Sequence, residues 1–208
     1  MRHTIFLFVI AASAVSTVAA EDTPARLKKA VTVLNEIKIP TEKLAGADCV
    51  AVIPGFKKGA AVVGAGYGRG FISCRTGAGW SAPGAVTLGS GSLGVQVGGE
   101  EIDIVILSLD KERRFKLLGD RFTIGTDASA AWENGKSAHG DPNPKMLFFG
   151  HTKGVFAGFG LDGATLKSDE SGIKALYGKP SSNGEIIGGA TTPAIAQPLI
   201  TRLSQMSN

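Results

Sequence analysis

Between Cys49 and Leu109 the chain is a succession of short apolar runs broken again and again by glycine, and this stretch constrains the fold most. Val, Ile and Phe fill the runs while Gly, Pro, Lys and Ser stand at the breaks, the pattern of consecutive antiparallel strands and tight turns. Within Gly94-Val95-Gln96-Val97-Gly98, the two valines fall on one face and Gln96 on the other. The fold class expected is α+β: a mainly antiparallel β-sheet or barrel-like core, with an N-terminal amphipathic helix and one or two short helices.

The first twenty residues set the compartment. Arg2 and His3 form a short polar region, an apolar run begins at Ile5, and Val18-Ala19-Ala20 is a small-residue cleavage site before Glu21. About fifteen apolar or small residues lie in this run, short of the roughly 20 that a membrane span needs. Residues 1–20 therefore read as a signal peptide cleaved near Ala20, and the chain as secreted, into a periplasm. Residues 21–179 read as one domain, and residues 180–208 as a C-terminal linker and short tail. Lys and Arg exceed Asp and Glu by only 22 to 18. So mild an excess does not point to nucleic acid, and only a local cluster could favour an anionic surface.

Cys49 and Cys74 are the only cysteines. An oxidising compartment invites them to pair. A simple meander would instead put them on outer strands about 9–10 Å apart, beyond disulfide reach. Two readings stay open, a disulfide and two buried thiols.

Thr23-Pro24 is a helix start, and Leu27, Ala30, Val31, Leu34 and Ile37 recur at helical spacing opposite Lys28, Lys29, Thr32 and Glu36. Pro40 ends this helix, and Thr41 to Ala45 form a second one stopped by Gly46. The apolar face either packs on the β-core or lies in a lipid interface. A short helix is expected between Asp110 and Gly119, carrying Lys111, Arg113, Arg114 and Lys116 as a solvated face or an anion-binding patch. Strands are expected near 121–124, 128–132, 146–149 and 155–159, a loop over 133–144, and a helix from Pro193 to Met206 broken at Pro198.

No catalytic motif survives scrutiny. Gly89-Ser90-Gly91-Ser92-Leu93-Gly94 matches a dinucleotide fingerprint in letters, but strand residues follow it where a helix N-terminus is required. Gly64, Gly66, Gly68 and Gly70 read as a turn. His139 and His151 with scattered aspartates such as Asp127, Asp141 and Asp162 have no metal or triad spacing. No enzyme activity, cofactor or metal is expected. Trp80 should cover one end of the core with its indole N–H on a carbonyl, and Asp103 should point outward from its strand.

Five ordered blocks carry a resemblance: GFKKGAAVVGAGYGRGFISCR, GWSAPGAVTLGSGSLGVQVGGEEIDIVIL, GDRFTIGTDASAAW, TKGVFAGFGLDGATL and ALYG. Together they resemble the SYLF domain, found in eukaryotic lipid-binding and actin-regulating proteins and in secreted bacterial ones. The resemblance implies a non-catalytic module that binds phosphoinositide-like or other anionic phospholipid headgroups through a basic surface and an N-terminal helix. It implies headgroup contacts at Arg26, Lys28 and Lys29 and an inserting face of Leu27, Val31 and Leu34. Lys57, Lys58 and Arg69 extend the patch on a separate ground, since glycine lets backbone and headgroup come close. The expected partner is an anionic phospholipid or membrane surface. The alternative is an adaptor that binds a protein at the cell envelope through a sheet edge or the apolar helix face. Actin is not expected as a partner in that compartment.

Overall fold

The computed structural model describes residues 22–58, 66–91, 100–127, 130–132, 143–153, 161 and 163–207. The expected leader, the Val95 to Val97 alternation, the strand expected over 155–159, Gly64, His139, Asp141, Asp162 and most of the loop expected over 133–144 lie outside them. So does the side chain of Lys58.

Among the described residues nine strands form one sheet: β1 Cys49–Lys58, β2 Gly66–Thr76, β3 Gly79–Trp80, β4 Gly84–Ser90, β5 Glu100–Ser108, β6 Phe122–Thr123, β7 Ala130–Trp132, β8 Met146–Lys153 and β9 Thr165–Ser168. Their order is β6-β9-β4-β2-β1-β5-β8-β7, with β3 paired to β2. Every pairing is antiparallel except β7 with β8. This is the expected α+β class.

Alternation along the strands builds two cores. Val50, Val52, Phe71, Ala85, Val105, Leu107, Leu147 and Phe149 face a layer of helices. Ala51, Ile53, Phe56, Ile72, Val86, Leu88, Ile104, Ile106 and Phe148 face the other way, where the curled sheet closes over Leu117, Phe122, Ile124 and Leu166. With both faces covered, the central strands are apolar on both sides.

The helix layer consists of α1 Thr23–Glu36, α4 Glu170–Tyr177, α5 Asn183–Gly189 and α6 Gln197–Met206, with α2 Thr41–Ala45 leading into β1. Asp22, one residue before the expected start, caps α1 by accepting from the Ala25 N–H at 2.8 Å. Leu27, Ala30, Val33, Leu34 and Ile37 are buried against the sheet. Burying the four large ones is worth about 1.5–3 kcal/mol each. Undocking α1 would thus cost about as much as a whole domain's stability.

Several expectations change. Gly55 takes φ 58° and makes a bulge, and β1 runs through Pro54-Gly55 to Lys58. Asp103 lies on the helix-covered face instead of pointing to solvent, and its Oδ1 accepts the Gly55 N–H at 2.7 Å. Because β1 is unbroken, it pairs directly with β2, Cys49 stands opposite Cys74, and the two form a disulfide. Gly66, Gly68 and Gly70 belong to strand β2, not to a turn. They leave room for β1; a Cβ on Gly70 would sit 1.9 Å from the Val52 carbonyl oxygen.

Residues 180–208, expected as a linker and tail, carry two helices. Ser182 and Glu185 form a capping box that starts α5, and Pro198 sits in the first turn of α6, which it begins instead of breaking. Ile186, Leu199, Ile200 and Leu203 join the core beneath α1. Trp80 is buried as expected, but its indole N–H donates to Ser207 Oγ at 3.0 Å, not to a carbonyl, and Arg75 stacks on its ring at 4.1 Å.

Candidate functional site

The charges meet at Asp169, the residue that caps α4. Its carboxylate accepts from Arg26 Nη1 at 3.1 Å, Arg69 Nε and Nη2 at 2.8 Å, Ser171 Oγ at 2.8 Å and the Gly172 N–H at 3.0 Å. Asp169 and Arg26 are 5% and 3% exposed, whereas Arg69 keeps 20% exposure. Burial alone would raise the Asp169 carboxyl; hydrogen bonds from Gly172, Ser171 and Arg69 outweigh it and hold it below the usual range. Two guanidiniums share one carboxylate, and Arg69 forms the part of the cluster that reaches solvent.

Strand register extends this charge into a surface. Residues paired across an antiparallel ladder project to the same face. Arg69 pairs with Thr87 and Thr87 with Lys167; one step along, Tyr67 pairs with Lys57 and Lys57 with Glu101. Tyr67, Arg69 and Phe71 alternate on one face of β2, and Phe71 lies under Arg26, 5.8 Å from the guanidinium. The face that α1 covers therefore continues past the helix as an open patch of Lys57, Tyr67, Arg69, Thr87 and Lys167, with Glu101 beside Lys57. Tyr67 is 55% exposed, an aromatic ring among cations.

The other expected site residues separate. Leu27 and Leu34 are core, and Arg26 is buried in the ion cluster. Lys28 and Lys29 are exposed on α1, and Val31 is half-buried. Lys28 and Val31 line a groove of about 170 Å³ with Leu27, Ile195, Pro198 and Leu199. Of the cations in the segment around α3, Arg114–Leu117, three are tied to aspartates: Arg113 to Asp110, Arg114 to Asp48 and Lys116 to Asp127. Hydrogen bonds from Lys116 and the Thr123 N–H hold the Asp127 carboxyl below its usual range. That segment is consequently a braced turn and offers little free charge. Lys167, Tyr67 and Asp169 were not read from the sequence; Asp169 followed by a helix was the one signal available, an N-cap.

Comparison with known proteins gives a family. A family model described as "Las17-binding protein actin regulator", Ysc84, matches residues 89–206. An SH3 domain-containing protein of Schizosaccharomyces pombe is 33% identical over 172 residues, 77% of this chain and 40% of that protein. The SH3 domain-containing YSC84-like protein 1 of Xenopus laevis is 30% identical over 68% of this chain and 44% of its own length. Protein YSC84 of Saccharomyces cerevisiae is 29% identical over 78% of this chain and 36% of its own length. The chain thus spans well under half the length of these relatives, and no solved structure matches it. The family match runs through α5 and α6, the two helices that complete the core around α1, and with the blocks that precede it places this chain in the Ysc84 family, the family of the SYLF domain.

Proposed function

We propose that this chain is a non-enzymatic binding protein for anionic phospholipid, secreted to a periplasm after cleavage near Ala20. The observation that carries the reading is the row of Lys57, Arg69 and Lys167 on one sheet face with exposed Tyr67 among them. Lysines near an anionic surface contribute about 1 kcal/mol each, and tyrosine suits the polar-apolar boundary. Contact is made with α1 docked, because its leucines hold the core. No helix among the described residues is long and apolar enough to cross a membrane.

Vesicle flotation tests this. The mature chain should float with vesicles containing phosphatidylglycerol, less so as salt rises, and not with phosphatidylcholine alone. Lys57→Glu with Lys167→Glu should weaken binding by at least about tenfold. Binding unaffected by that pair, or absent at low salt, refutes the reading.

A protein partner at the cell envelope is the second reading, favoured by the groove beside Ile195, which is 47% exposed. The family's description as Las17-binding makes a protein ligand the natural comparison. Loss of partner capture on Ile195→Asp, with flotation unchanged, would support it.

A further inference from the structure

Away from the Arg69 cluster, at the far end of α1, three side chains from distant parts of the chain converge. Glu36 is the last residue of α1, Asp103 lies in β5 and His151 in β8. One donor atom from each lies within 4.8 Å of the other two. Asp103 and His151 are register partners on neighbouring strands, so the sheet itself fixes them side by side. Asp103 is 5% exposed, and the Gly55 N–H holds its carboxylate in orientation. Glu36 and His151 are exposed and free to turn toward it.

We propose that Glu36, Asp103 and His151 form a binding site for a divalent transition-metal ion of the zinc type. Two carboxylate oxygens and one imidazole nitrogen make a mixed donor set, which suits zinc and its first-row neighbours; calcium and magnesium prefer oxygen alone. Donors around a tetrahedral zinc stand about 3.4 Å apart, given bonds of about 2.1 Å. The two exposed side chains close that gap by rotation while Asp103 stays in place. A divalent cation would give both carboxylates a common charge partner. Three protein ligands leave further positions to water or an incoming anion. The spacing 36, 103 and 151 matches no linear metal motif, because the site is assembled by one helix end and two neighbouring strands.

The test is titration of the chelator-treated protein with Zn²⁺ by calorimetry and with Co²⁺ by visible absorption. One ion should bind per chain, with a Co²⁺ spectrum of low coordination number. His151→Ala and Glu36→Gln, both at exposed positions, should each weaken binding by about tenfold or more. Absence of binding, or binding unchanged in both variants, overturns the proposal. Flotation in the presence of EDTA separates this from the lipid reading: loss of metal sites with flotation intact bears on the metal alone.

Discussion

Replacing Asp169 with asparagine tests the centre of the structure. The change keeps the size of the side chain and an oxygen to accept the Gly172 N–H, so the cap on α4 survives. What it removes is the counter-charge of Arg26, a guanidinium only 3% exposed. Removing one partner of a buried ion pair costs about 3–5 kcal/mol. Arg69 remains in partial contact with water, so most of the penalty falls on Arg26 and the low end applies, about 3 kcal/mol. For a domain of this size that corresponds to a Tm lower by about 6–12 °C. Urea unfolding followed by circular dichroism, with thermal scans alongside, measures it. Adding Arg26→Met removes the buried guanidinium that faced Asp169 and should restore more than about 1 kcal/mol, a coupling readable as a double-mutant cycle. A loss below about 1 kcal/mol for Asp169→Asn, or no restoration by Arg26→Met, would refute the shared-carboxylate account.

Acid should weaken the fold by the same chemistry. Asp169 and Asp127 are held below the ordinary value of 3.8, so each stabilises above that pH and loses its contribution as pH falls through its folded value. Tm should drop as pH falls below about 4, and Asp169→Asn should flatten that limb. Reduction, or Cys49→Ser with Cys74→Ser, opens a loop whose ends are 25 residues apart and should cost about 3.5 kcal/mol in the chain-entropy model, measured by unfolding with and without reductant. Gly70→Ala forces a Cβ onto the Val52 carbonyl and should cost at least about 3 kcal/mol or yield insoluble protein, read from soluble expression and Tm.

Local chemistry was legible in the sequence wherever it was self-contained. The 3.6-residue spacing of Leu27, Ala30 and Leu34 marked α1, and glycine-broken Val and Ile runs marked the sheet. Composition misled at residues 180–192, where glycine and serine masked the Ser182 and Glu185 capping box. The bulge at Pro54-Gly55 depends on Asp103, 48 residues away, and has no local signal. The candidate surface was half visible. Lys57 and Arg69 could be picked as cations among glycines, but Lys167 joins them only through two strand pairings, and Asp169 only through a contact 100 residues away from Arg69. Helical spacing marked the apolar side of α1 but could not say what covered it. The helices that share its core, α5 and α6, lie more than 140 residues later.

The Cys49–Cys74 bridge joins β1 to β2, the two strands at the middle of the order, at the end opposite Lys57 and Tyr67. Its meaning reaches beyond stability, because it works as a ruler. A one-residue slip between these strands would put Lys57 and the Tyr67–Arg69 row on opposite sides of the sheet. Once the sulfurs are joined across a directly opposed pair, that slip is closed to the chain. The bridge therefore holds Lys57 and Arg69 to one face of the sheet before any ligand is met.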